Sequence, residues 1–313
     1  MIACSASNPG TDRPAGGIVA REAYVHGMPD APRERHLAGV LRDTLGSPGS
    51  LTRLQLGWLA GRAVGLPSSA TRAFATALEY FHTASLLLDD MPCMDDASLR
   101  RGRACAHLVH GEGSTVLGAL AFINRAYRLV WDALSAIPDE RRQKTAAQVE
   151  RCLGATGVLD GQSLDLHFAE SDRSGRAVSR VALGKTVCLL RLSLVTPAIM
   201  AGTPAREQLL LDRLSVAWGL AYQIADDVGD MRGCGTTGKT QGRDAAQDHP
   251  NFVVAVGYPA ARHRLSRLLR LLDEAYRELV ALRATWADLG PLIDRFCTAA
   301  GLLVEDAAAT RCA

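Results

Sequence analysis

The sequence lacks the cysteine spacing of a metal knuckle or a redox motif. Its eight cysteines (Cys4, Cys93, Cys105, Cys152, Cys188, Cys234, Cys297, Cys312) contain no CxxC or CxxH pair, and thiols scattered this way point to a reduced, cytoplasmic chain. Charge of one sign is not in excess either. Lys plus Arg number 35 against 33 Asp plus Glu, a net +2, so no broad nucleic-acid or anionic-membrane surface is expected and any phosphate site has to be local. The first residues show no basic-then-apolar leader. The most apolar stretch, from Leu189, is interrupted by Arg191 and Pro197, so neither a signal peptide nor a membrane span is predicted. Alternating strand patterns are almost absent: the one β-branched run, from Asn251, continues into helical periodicity and is read as a buried helix start. No repeat of about 20–50 residues suggests a solenoid.

What is present is helix. Hydrophobic residues make up 48% and charged residues 22%, enough to bury a core. Apolar residues recur at three and four positions in Leu51, Leu54, Leu56, Leu59 and Ala60, in Phe74, Leu78, Phe81, Ala84 and Leu88, and in Leu265, Leu268, Leu269, Leu272 and Tyr276. Pro and Gly cut these runs into long helices. The expected fold is all-α, one domain over residues 31–313, preceded by a Gly-, Pro- and Ser-rich flexible arm over residues 1–30.

Two aspartate clusters interrupt this pattern. Asp89, Asp90, Asp95 and Asp96 fall within eight positions, followed by Arg100, Arg101 and Arg103, and a second group holds Asp226, Asp227 and Asp230. Pro92 ends helix just upstream, which places Asp89 and Asp90 in a last turn and Asp95 on the next loop. Asp226 and Asp230, four apart, share a helix face. The carbonyl end of a helix already carries about half a negative charge, so carboxylates packed there need a cation. Oxygen ligands without thiolate or imidazole spacing suit Mg²⁺ or Mn²⁺, and Mg²⁺ takes one or two carboxylates plus phosphate oxygens. Arg100 and Arg101 supply donors for a polyphosphate. His107 and His110, three apart with no third ligand, are assigned to packing or surface.

At these residues the chain resembles the trans-isoprenyl diphosphate synthases, especially bacterial geranylgeranyl diphosphate synthases. The resemblance runs over about residues 36–305. It rests on DDx4D with RRG (Asp89, Asp90, Asp95, Arg100, Arg101, Gly102), on GLAxQIxDDxxD from Gly219 to Asp230, on GQxxDL (Gly161, Gln162, Asp165, Leu166), on GKT (Gly184, Lys185, Thr186) and on GKxxGRD (Gly238, Lys239, Gly242, Arg243, Asp244). The resemblance implies a helical bundle around a central cavity, a homodimer, three Mg²⁺ ions, and head-to-tail condensation of isopentenyl diphosphate with an allylic diphosphate. It makes Asp89, Asp95 and Asp226 metal ligands, supported by Asp90, Asp227 and Asp230. Arg100, Lys185 and Lys239 would hold the allylic diphosphate, and Arg53, His82 and Arg101 the isopentenyl diphosphate. Gln223 and Thr186, with Lys185, would face the nascent cation.

Three positions depart from the family pattern. Ser50 and Leu51 stand where a Lys and an Arg normally precede Arg53, and His249 stands where a second Lys follows GKxxGRD. A lost cation against diphosphate removes about 1.5–3 kcal/mol, which keeps a catalytically weak partner subunit as an alternative. For product length, the residues one turn below Asp89 are Ser85 and Ala84. A small residue at Ala84, where fifteen-carbon enzymes of the family commonly carry an aromatic one, implies a twenty-carbon product with Phe81 as the floor; a fifteen-carbon (farnesyl) product is the alternative. A terpene cyclase, which also uses DDxxD, is disfavoured because aromatic residues are only 5% of the chain.

Overall fold

The computed structural model of the chain describes residues 15–28, 32–231 and 250–305. In order, the described residues form α1 (Ala15–His26), α2 (Arg35–Gly46), α3 (Thr52–Ala63), α4 (Ser68–Asp89), a hairpin of β1 (Leu99–Arg100) and β2 (Arg103–Ala104), α5 (Ala106–His110), α6 (Glu112–Ser135), α7 (Asp139–Leu153), α8 (Val158–Leu166), α9 (Gly175–Ala182), α10 (Cys188–Ala201), α11 (Ala205–Met231), α12 (Phe252–Val256), α13 (Tyr258–Leu282) and α14 (Gly290–Glu305). The all-α expectation holds. Polar caps start several elements: Glu34 accepts from the amides of His36 (3.0 Å) and Leu37 (2.8 Å) at α2, and Asn251 accepts from Val254 (3.0 Å) at α12. The run from Asn251 is therefore helix, as its periodicity indicates.

The 22-residue α4 lies at the centre, because its apolar residues go nearly all round. Phe74, Leu78 and Phe81 are buried with Phe122 and Ala126 of α6, and α3 and α10 pack on other faces. A second group of buried residues joins α3, α10, α11 and α13 around Leu211, Leu214 and Trp286. A third closes α9, α11, α12 and α13 around Phe252 and Leu265. The continuous helical run Gly175–Ala201 is long and apolar enough to cross a membrane, but 67% of its most apolar window is buried inside the fold; it is read as a core helix.

The flexible arm expected over residues 1–30 gives way, from Ala15, to α1. Tyr24 is buried on α4, its hydroxyl sharing a hydrogen bond with Thr83 (3.1 Å), and the Tyr80 hydroxyl donates to its carbonyl (2.7 Å). Arg125 Nε of α6 donates to the Gly27 carbonyl (2.6 Å). A 12-residue helix with a pair of glycines near its start has too short an apolar period to stand out in sequence; tertiary contacts supply what propensity does not.

One buried charge ties the far side together. Glu207 of α11, 1% exposed, accepts from Arg283 Nε (2.7 Å) and from Trp286 Nε1 (2.7 Å). Replacing it strands the buried Trp286 donor, whereas the half-exposed Arg283 can turn to water. Glu207→Ala is expected to lower stability by about 1–3 kcal/mol in urea unfolding, and Glu207→Gln, which keeps an acceptor, by clearly less.

Candidate active site

The end of α4 is folded back on itself. The Asp95 amide donates to the Asp89 carbonyl (2.9 Å) and the Ala97 amide to the Asp90 carbonyl (3.2 Å), so the loop after Pro92 satisfies orphan carbonyls of the helix end and returns Asp95 towards Asp89. Asp89 and Asp90 are buried. Burial pushes the Asp89 carboxyl up to about 6, opposed by Lys185 and reinforced by Asp95. The Oδ1 of Asp95 is sealed from solvent with no hydrogen-bond partner. Asp90 has a partner: Arg100 Nε lies 3.0 and 3.1 Å from its two oxygens, with the terminal nitrogen closing a fork. Asp90 and Arg100, assigned from sequence to metal and diphosphate, are thus paired with each other.

The hairpin turn explains how two successive arginines part company. Arg101 and Gly102 both have positive φ (54° and 74°), the conformation of a tight primed turn. Arg100 then points to Asp90, while Arg101 reaches the Ser47 carbonyl (3.1 Å) and Arg103 the Ser47 hydroxyl. Arg53 opens α3 beside this loop. His82 lies in the field of Arg53, Arg100 and Arg101; loss of solvent, then those three charges, hold its pKa well below the ordinary histidine value. Its Nδ1 is buried without a partner. Ser50 turns its hydroxyl to Thr52 (2.7 Å), so the Arg53, Arg101 and His82 group sits beside a loop that contributes no charge at Ser50.

Lys185 and Thr186 lie on a single π-helical turn, Leu183–Val187, between α9 and α10, a wide turn often found at functional sites. Two glycines let it approach α8: a Cβ on Gly161 would fall 2.3 Å from the Lys185 amide nitrogen, and one on Gly184 2.5 Å from the Gly161 Cα. That approach brings Lys185 Nζ to 2.7 Å from Asp165 and 3.9 Å from Asp89. Burial works against the lysine charge, but Asp89, Asp165 and Asp95 outweigh it and raise its pKa. Asp165 is a site residue whose role the sequence alone did not assign; the signal was a lone carboxylate in the GQxxDL motif. Thr186 is half-buried beside it.

On α11, Asp227 turns inward. It accepts from the Phe252 amide (2.7 Å) and from Gln223 Nε2 (3.0 Å); burial pushes its carboxyl up to about 7 while these bonds oppose. It ties α11 to α12, whereas Asp226 and Asp230 lie on the more open face, with Tyr222 within electrostatic reach of both and of Arg53. Lys239 lies outside the described residues. Among the described residues no three His, Cys, Asp or Glu side chains form a cage for one ion. The donors fit Mg²⁺ in another way: the unpartnered Asp95 oxygen and the raised Asp89 carboxyl are hard oxygens wanting a cation, and the rest of an octahedron can come from phosphate and water.

Below Asp89, Ser85 donates its hydroxyl to the His82 carbonyl (2.9 Å), and Ala84 is 1% exposed in the core. Phe81 meets the Tyr127 ring of α6 edge-on, 5.0 Å between centroids. Tyr127 is a second aromatic at this level that periodicity on α4 could not reveal.

The sequence model of the polyprenyl synthetase family matches residues 34–284. The chain is 34% identical to a geranylgeranyl diphosphate synthase of Pantoea ananas over 77% of its length and 79% of that protein's. It is 31% identical to a farnesyl diphosphate synthase of Escherichia coli (strain K12), over 78% and 82%. A geranyltransferase of Helicobacter pylori, solved in complex with magnesium and isoprenyl diphosphate, superposes with a TM-score of 0.75 at 21% identity, over 91% of this chain and 98% of that one.

A metal ion held by Asp89 would compete with protons for its carboxylate. Its raised pKa means that the folded chain takes up a proton at Asp89 as pH falls through about 6, well before the unfolded chain does. The Mg²⁺ concentration giving half-maximal rate should therefore rise as pH falls through about 6, by up to about tenfold per pH unit. A flat Mg²⁺ requirement between pH 5 and 7.5, measured with saturating substrates, would contradict this placement of Asp89.

Proposed function

The chain belongs to the polyprenyl synthetase family, and from that premise we propose that it is a Mg²⁺-dependent prenyltransferase adding isopentenyl diphosphate head-to-tail to allylic diphosphates, with geranylgeranyl diphosphate (C20) as its product. The observation that carries the reading is the juxtaposition, on one face of α4, of the buried Asp89, with Asp95 returned beside it by the following loop, and of His82 in the field of three guanidiniums. One set wants a cation and the other an anion, and a magnesium diphosphate with a second diphosphate answers both.

In this reading Asp89, Asp95 and Asp226 hold the metal ions, three in all with Mn²⁺ as a substitute, and Asp90, Asp227 and Asp230 support them. Bound Mg²⁺ would supply charge stabilisation to the departing diphosphate. Lys185, kept cationic by Asp165, stands against the same leaving group, with Arg100 exchanging Asp90 for phosphate oxygens and Lys239 as a further cation. Arg53, Arg101 and His82 hold the acceptor diphosphate. As the allylic C–O bond breaks, positive charge spreads over the allyl carbons. Gln223 has given its amide to Asp227, which leaves its carbonyl oxygen, with the Thr186 hydroxyl, to face that charge. The acceptor double bond then attacks and a proton is lost. The apolar walls of α4 and α10 keep water from trapping the cation as an alcohol.

Two further assignments belong to this proposal. An exposed apolar stripe on α6, including Leu117, Leu120, Tyr127 and Trp131, continues Leu108 and Val109 of α5; such a face supports a homodimer through α6. The uncharged loop at Ser50 favours one second reading, a partner subunit with weak acceptor binding.

Purified protein incubated with Mg²⁺, isopentenyl diphosphate and dimethylallyl, geranyl or farnesyl diphosphate, then treated with phosphatase, is expected to yield the C20 alcohol. Ala84→Phe should shorten it to C15. A C15 product from the unaltered chain would replace the length assignment with the farnesyl alternative, and no product with any starter would favour the partner-subunit reading.

A further inference from the structure

The start of α3 has an unusual cap. Leu51, just before the helix, sits in the left-handed region (φ 53°) and offers no side-chain acceptor, so the first amides of the helix need one from elsewhere. Glu79 of α4 provides it across 25 positions of sequence: the Leu54 amide donates to Glu79 Oε2 (3.0 Å), with a weaker contribution from the Arg53 amide. The carboxylate is 3% exposed. Burial raises its pKa, while Arg53, the Leu54 amide and Arg101 oppose the rise. Three residues further along α4, one turn nearer Asp89, is His82. Tyr24 of α1 lies within electrostatic reach of Glu79.

A buried carboxylate is an expensive way to hold two helices together, since a well-packed apolar pair does as well. What an apolar residue cannot do is fix the rotation and height of the first turn of α3, where Arg53 lies. We infer that Glu79 is a positioning residue for acceptor binding: its carboxylate fixes the α3 start so that Arg53 meets the isopentenyl diphosphate beside Arg101 and His82. This rests on the reading above that Arg53 holds that diphosphate. Removing the Glu79 charge by itself leaves the cluster more positive, which would favour an anion, so a loss of acceptor binding has to come from geometry.

Two mild variants separate reach from charge. Glu79→Gln keeps the length and a carbonyl acceptor but not the charge; Glu79→Asp keeps the charge but withdraws the acceptor by one methylene. Steady-state kinetics should show the KM for isopentenyl diphosphate raised about tenfold in Glu79→Asp, within about threefold of the parent in Glu79→Gln, and the KM for the allylic substrate unchanged in both. In an Arg53→Ala background, Glu79→Asp should add little to the acceptor KM. The inference is overturned if Gln raises the acceptor KM and Asp does not, if neither moves it, or if both substrates weaken equally. If Arg53→Ala alone leaves the acceptor KM unchanged, the assignment of Arg53 fails instead.

Discussion

Carboxylates at the carbonyl end of a helix, out of reach of water, are the constraint around which this molecule is arranged. Asp89 closes α4 with its carboxyl pushed up to about 6, and Lys185 faces it at 3.9 Å. Getting that lysine there takes a π turn, two glycines that allow backbones to touch, and Asp165 to hold the ammonium at 2.7 Å. The arrangement is poised, because one ammonium shared between Asp89 and Asp165 does not neutralise Asp89, Asp95 and Asp165 together.

The basic side is built as the complement. Arg100 and Arg101 diverge from a tight turn, one to Asp90 and one to the loop before α3, while Glu79 caps α3 and holds the start of the helix carrying Arg53. The Asp90–Arg100 fork occupies both groups in the free protein. On the proposed function it is a placeholder that a magnesium diphosphate would replace with two equivalent pairs, so that the cost of opening it would be returned on binding.

Much of this was legible in sequence because it is local. The spacing of Asp89, Asp90 and Asp95 around Pro92 gave the helix end and its loop, and the four-residue step from Asp226 to Asp230 gave a shared face. Ala84 and Phe81 follow from the same helical period. The groups that were not legible act across the fold. Glu79 caps a helix 25 residues away, Asp165 reaches a lysine 20 residues on, and Tyr127 meets Phe81 from another helix; no periodicity encodes such pairs. Asp90 and Asp227 read from sequence as members of equal clusters. The structure separates them, one bound to Arg100 and one to the Phe252 amide, because adjacent residues on a helix face different ways. Helix α1 was hidden for another reason: its stability comes from α4, not from its own composition.

The claim that these carboxylates are incomplete metal sites finished by substrate is tested most directly by calorimetric titration of Mg²⁺ into the protein, with and without an unreactive thio-linked allylic diphosphate, after subtracting Mg²⁺ binding to the analogue itself. Weak binding of Mg²⁺ alone, tightened by at least about tenfold when the analogue is present, is the predicted result. Tight Mg²⁺ binding to the protein alone, or an affinity indifferent to the diphosphate, would contradict it.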